Sequence, residues 1–278
     1  MIVRTLRNLF RRTPRASVPD LLERQKDQWT RLGREAPYWS VLSGCDRSPE
    51  IGEADEEEFY RSGADEVACL REQFEAAGAA LPGGCCVDWG CGLGRVLLHL
   101  ADPFEKAVGV DISRPHLDRA RARADARFPQ RASRCTWLHA VEDADAIGAL
   151  HGRVDLVHSI LVLQHMPPPL MEETLDTFAR LLRPGGWAFF QIPTGAEGYD
   201  YTRYSLTHDG DFDMHALPED RIRAVFRRHG CRECLKVEKD RTGPPFVSHY
   251  FLYRKEPGAT ASPDASGATA SRQAERKS

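Results

Sequence analysis

This 278-residue chain has no apolar run long enough to cross a bilayer as a helix. It has little charge imbalance: 38 Lys and Arg stand against 41 Asp and Glu, a net charge of −3. Nucleic-acid partners favour a basic surface, so none is expected. A secretory signal is missing too, because residues 1–17 carry Arg4, Arg7, Arg11, Arg12 and Arg15 with no apolar block between them. The expected compartment is therefore the cytoplasm, where the eight cysteines stay reduced. Metal-ligand spacing is absent from the ten histidines, so no metal is expected. Cys231 and Cys234 form a CxxC without a second pair, which favours ordinary packing over a zinc or redox role. There is no internal repeat, and nothing in the sequence speaks to oligomeric state.

The chain does have 41% apolar residues, enough for a sizeable core. Residues 1–17 place Ile2, Leu6, Leu9 and Phe10 at helical spacing among the arginines. They read either as a short amphipathic helix on an anionic membrane surface or as a frayed, solvated end, and the second is favoured. Residues 18–80 read as an N-terminal helical cap, with helices over 19–33 and 56–77. Between them Pro37-Tyr38-Trp39 suggests a turn, and Arg61-Ser62-Gly63 a helix break on the surface. Residues 81–256 alternate strand and helix: strands at 85–89, 107–111, 136–140, 155–160 and 187–192, helices at 94–100, 115–127, 171–182 and 218–229. Two last strands follow at 233–237 and 247–253. This rhythm predicts an α/β fold with a mostly parallel sheet, helices on both faces and an antiparallel edge. Residues 257–278 are rich in Ala, Ser, Gly, Thr and Pro and predict a disordered tail.

The main chemical signal is Asp88-Trp89-Gly90-Cys91-Gly92-Leu93-Gly94 at the end of the first strand of the sheet. Alternating glycines let the backbone turn sharply and let a ligand lie against it. A dinucleotide loop reads GxGxxG with a diphosphate at the helix start. Here the pattern is DxGxGxG, and a carboxylate two residues ahead of the first glycine suits a cofactor carrying an ammonium group. Asp111 closes the second strand, where an acidic side chain can accept from both hydroxyls of a ribose.

Together these features resemble the class I S-adenosylmethionine-dependent methyltransferase family. The likeness extends to Asp155-Leu156-Val157-His158-Ser159 with Leu163-Gln164-His165-Met166, and to Leu182-Arg183-Pro184-Gly185-Gly186. It covers roughly residues 84–254 and implies a seven-stranded Rossmann-like sheet with S-adenosyl-L-methionine as cofactor. By that resemblance Asp88 holds the methionine ammonium. Gly90, Cys91 and Gly92 line the methionine moiety with backbone, Gly94 belongs to the same cofactor-binding turn, Asp111 binds the ribose and Ile112 packs on the adenine. Glu142 or Asp143 accepts from the adenine amino group, unless these acids cap a helix. Ser159 and Gln164 flank the methionine end. In related enzymes the region around Arg61 often folds over the cofactor.

The reaction so implied is an in-line methyl transfer in which the protein mainly aligns the partners. A hydroxyl acceptor also needs a base; His165 is the best placed candidate, and a structural histidine is the alternative. The Asn/Asp-Pro-Pro-Tyr signature of base-amine methylation is absent after the fourth strand. The long segment 195–215 holds Tyr199, Tyr201, Tyr204, Phe212, Asp209 and Asp213, suited to a small-molecule or sugar-type acceptor. O-methylation of such an acceptor is the favoured function. Two rivals are a cofactor-binding scaffold without catalysis and an NAD-dependent Rossmann oxidoreductase; the glycine spacing disfavours the latter.

Overall fold

The computed structural model describes residues 17–202 and 213–258. The basic segment before Ser17, Tyr204 and residues 259–278 of the tail lie outside the described residues.

Helix α1, Val18–Glu35, begins at Ser17. The Ser17 hydroxyl accepts from the Asp20 N–H at 3.3 Å, and the Asp20 carboxylate accepts from the Ser17 N–H at 3.2 Å. This reciprocal cap satisfies two donors that a helix start leaves open. Leu21, Gln25, Leu32 and Gly33 form its buried side. Pro37-Tyr38-Trp39 is not a plain turn but the start of a short helix, α2, Pro37–Val41, because proline's fixed φ suits a first helical position. Helix α3, Glu53–Ala76, runs without interruption through Arg61-Ser62-Gly63. The glycine there permits contact instead of breaking the helix: a Cβ at Gly63 would fall 1.9 Å from the carbonyl oxygen of Arg95.

The sheet has seven strands: β1 Cys85–Trp89, β2 Lys106–Asp111, β3 Cys135–His139, β4 Val154–Ser159, β5 Leu182–Ala196, β6 Cys231–Glu238 and β7 Phe246–Lys255. Their order is β3-β2-β1-β4-β5-β7-β6. The first five strands pair in parallel, and β7 is antiparallel to both β5 and β6. The expected α/β architecture with its antiparallel last strand is the observed one. Helices α4 Leu97–Leu100, α5 Arg114–Arg127, α6 Pro129–Ala132, α7 Ala144–Gly148, α8 Pro168–Leu181 and α9 Glu219–Arg228 complete the layers. Helix α4 starts later than the pattern suggests, because Gly94 sits at φ +78° in the turn before it.

Alternate strand residues point to opposite faces. Val87, Val157, Phe190 and Phe251 meet Phe178 of α8 and Phe226 of α9 on one side. Cys86, Leu156, Phe189 and Leu252 meet Leu70 and Phe74 of α3 on the other. The strand order reverses at β1: β2 and β3 lie to one side, β4 and β5 to the other. An open parallel sheet leaves a crevice at such a point, beyond the strands' carboxyl ends.

Candidate active site

The glycine turn leaves β1 directly into that crevice. Gly90 and Cys91 donate their N–H groups to the Val110 carbonyl at 2.7 and 3.1 Å, tying the turn to β2. Gly90 and Gly92 have φ of +75° and +51°. A Cβ at Gly90 would lie 2.3 Å from Val162, and one at Gly92 would lie 2.8 Å from Val41. Both valines line the same cleft as the turn, so the loop after β4 and helix α2 close on bare backbone.

Asp111 ends β2 with both carboxylate oxygens engaged from one side. Oδ2 accepts from the Gly92 N–H and Oδ1 from the Ser113 N–H, each at 2.8 Å. A carboxylate offers about four acceptor positions, so further ones remain for hydroxyl groups. Asp88 is 4% exposed, and its Oδ1 lies 2.8 Å from Nδ1 of His158 on the neighbouring strand. Asp88, Gly90, Cys91, Gly92, Asp111 and Ile112 all line one cleft.

Among the described residues, the others given a site role from the sequence do not line it. Gly94 packs against Trp137. Ser159 is buried and donates to the Trp89 carbonyl at 2.9 Å. Glu142 is exposed and pairs with Arg114; Asp143 accepts from the His139 N–H at 2.7 Å and faces Arg114 at 3.7 Å. From this end of β3 it is Ala140 that reaches the cleft. His165 and Gln164 are both buried, with Nε2 atoms 3.2 Å apart. His165 Nδ1 lies 3.4 Å from the Asp213 carbonyl oxygen. Burial takes the His165 pKa from the ordinary 6.5 to about 4. Tyr199 meets His215 Nδ1 at 3.2 Å, and Tyr201 is half-buried.

Several cleft residues escaped the sequence reading. Helix α1 contributes Leu22, Gln25 and Trp29. Helix α8 contributes Leu170 and Thr174, and the loop after β4 contributes Leu161 and Met166. Leu161 has φ +58°, alone among the described non-glycine residues in being positive. Its N–H is held by Gln191 Oε1 at 2.9 Å, and Gln191 in turn donates to Ser248 Oγ at 2.6 Å. A strained residue held by a buried amide is characteristic of a functional wall. Neither strain nor this long-range support has a local sequence signature.

The family described as methyltransferase domain matches residues 60–236, more than half of the chain. This chain belongs to that family. Its sheet order and DxGxGxG turn agree with the class I methyltransferase resemblance drawn from the sequence. A ubiquinone biosynthesis O-methyltransferase from Methylococcus capsulatus is 33% identical over 122 residues, 44% of this chain and 48% of that protein. One from Thiobacillus denitrificans is 30% identical over 125 residues, 45% of this chain and 51% of that protein. The chain thus spans about half the length of the curated relatives it matches. A solved structure of magnesium protoporphyrin IX methyltransferase from Synechocystis, with bound SAH, has a TM-score of 0.57 at 19% identity, covering 85% of this chain and 100% of that one. The [4+2]-cyclase SpnF scores 0.56 at 16% identity, covering 84% and 96%. Those two likenesses are of fold.

The residues present fit S-adenosylmethionine, the cofactor that the family resemblance implies. Side chains at Gly90 or Gly92 would fill the cradle beside the turn. Two carboxylates, Asp88 and Asp111, flank the cradle where a dinucleotide site would offer phosphate donors. The helix after the turn has only four residues, too short to serve a diphosphate.

Proposed function

We propose that this chain transfers the methyl group of S-adenosylmethionine to an oxygen of a small molecule with an apolar body. The observation that carries the reading is the continuity of the cleft. It runs from Asp88, Asp111 and the glycine turn into a wall of Leu22, Trp29, Val162, Met166 and Leu170. A wall of that kind favours an aromatic or aliphatic acceptor over a sugar, which needs many polar partners. Relatives named as ubiquinone biosynthesis O-methyltransferases support oxygen as the acceptor atom.

S-adenosylmethionine supplies a methyl group already activated on a sulfonium, which leaves alignment and exclusion of water to the protein. In this reading Asp111 takes the ribose hydroxyls, Asp88 the ammonium group, and Ile112 one face of the adenine. Ser159 fixes the end of β1 through Trp89, and Gln164 acts through His165. His165 stays neutral at pH 7, but its low pKa and engaged ring nitrogens suit support of Trp29, whose ring it meets at 5.4 Å, better than proton removal. Tyr199 and Tyr201 stand outside the cleft lining and Tyr204 outside the described residues; in this reading their segment covers the acceptor end from beyond the cleft wall.

The test is transfer of labelled methyl from S-adenosylmethionine to a panel of phenols, catechols, carboxylic acids, amines and sugars. Label on a phenolic or carboxylic oxygen is the expected result. Label confined to sugars or nitrogen would overturn the acceptor assignment, and tight cofactor binding without any transfer would favour a scaffold.

A further inference from the structure

Arg95 follows the glycine turn directly and is 4% exposed, yet it lines the cleft. Among the described residues lining the cleft it is the only arginine or lysine. Helix α3 builds its seat. One terminal nitrogen donates to Ser62 Oγ at 3.2 Å, the other lies 3.5 Å from Glu66 Oε1, and the Arg95 carbonyl presses on Gly63. Arg61, in the same stretch of α3, points elsewhere: it is exposed and pairs with Glu58.

Two features set Arg95 apart from a structural ion pair. Glu66 is shared, because Arg241 from the β6–β7 connection also pairs with it. Glu66 therefore serves two guanidinium groups, of which Arg95 is the buried one. In addition, the Arg95 Nε–H is buried and has no partner. A buried donor left unpaired is costly, and a guanidinium edge of Nε and a terminal nitrogen matches a carboxylate.

We propose that Arg95 binds the carboxylate of the cofactor's methionine end, while Asp88 takes the ammonium group. This rests on S-adenosylmethionine being the cofactor and adds the partner that the acidic motif residues lack. The charges agree. Asp88, Arg95, Glu66 and Arg241 sum to zero, and a zwitterion keeps that sum at zero with each of its charges opposed. A ligand end carrying one charge alone leaves the other member of the wall unopposed, which is unfavourable away from water.

The experiment compares two ligands that differ in the carboxylate alone: S-adenosylmethionine and decarboxylated S-adenosylmethionine. Both are titrated calorimetrically into the full chain and into its Arg95→Met and Arg95→Lys variants. The parent protein is expected to prefer the carboxylated ligand by about 30-fold, as loss of a charged hydrogen-bonded pair implies. Arg95→Met is expected to erase that preference while binding of the decarboxylated ligand stays within about threefold, and Arg95→Lys to restore part of it. Equal weakening of both ligands by Arg95→Met would show that Arg95 merely holds the turn and overturn the proposal. If that variant does not fold, the parent decides: a preference under about threefold overturns it. Binding of neither ligand to the parent would instead refute the cofactor reading beneath it.

Discussion

Nδ1 of His158 lies 2.8 Å from Oδ1 of Asp88, across two strands whose register sets these residues side by side. The imidazole stacks on Phe189 at 5.8 Å, and its Nε2 is buried without a partner. The carboxylate that heads the glycine turn is therefore oriented from the core. His158→Phe keeps the ring in its stack and removes the donor. It should cost about 2–3 kcal/mol of stability, because Asp88 is left buried and unpaired. Urea unfolding measures this; an unchanged midpoint would show that the pair does not hold Asp88.

Asp111→Ala should weaken S-adenosylhomocysteine by about 1.5–3 kcal/mol, since a charged acceptor is lost. Asp111→Asn retains an acceptor for the Gly92 N–H and separates loss of charge from loss of turn geometry. Calorimetric titration that finds both variants as tight as the parent would remove Asp111 from the ribose site.

Gly63→Ala is expected to destabilise the fold by about 2 kcal/mol or more, although alanine favours a helix by roughly 1 kcal/mol. The new Cβ would lie 1.9 Å from the Arg95 carbonyl oxygen, so α3 or the glycine turn must move. The melting temperature reports this directly, and a rise would show that α3 adjusts freely.

Burial depresses the His165 pKa to about 4, while the unfolded chain takes up that proton near 6.5. Between those values the unfolded state binds more protons, so stability falls as pH drops from 6.5 toward 4. His116 and His215, lowered chiefly by burial, add in the same direction. Denaturation at pH 7 and pH 5 should show a smaller drop for His165→Gln than for the parent. An equal drop in both would mean that His165 is not kept neutral by the fold.

Tyr201→Ala and Tyr204→Ala should leave cofactor affinity within about threefold, while turnover of the true acceptor falls by about tenfold or more. Normal turnover in both would remove the segment after β5 from the acceptor site and leave that site to the wall of α1 and the loop after β4.

The fold was legible where its causes are local. The apolar strands, the glycine turn and the acid at the end of β2 are each written in a few consecutive residues, and the mostly parallel sheet follows from the alternation of strand and helix. The site was legible along the edge those strands define: Asp88, Gly90, Gly92, Asp111 and Ile112 share the cleft. What stayed hidden depends on distant pairing. Helical spacing in α1 shows an apolar side but does not say that Leu22 and Trp29 of that helix meet the cofactor edge. The family resemblance puts Glu142 or Asp143 at the adenine, whereas Arg114, about thirty residues upstream, pairs with Glu142 and faces Asp143. Arg95 reads as an ordinary helix residue until Ser62 and Glu66 are seen to hold it.

The most direct test of the account is calorimetric titration of the full chain with S-adenosylmethionine, S-adenosylhomocysteine and NAD. One site per chain for each of the first two ligands, with micromolar or tighter affinity and no detectable heat from NAD, is the result expected. Binding of NAD, or of none of the three, would contradict it.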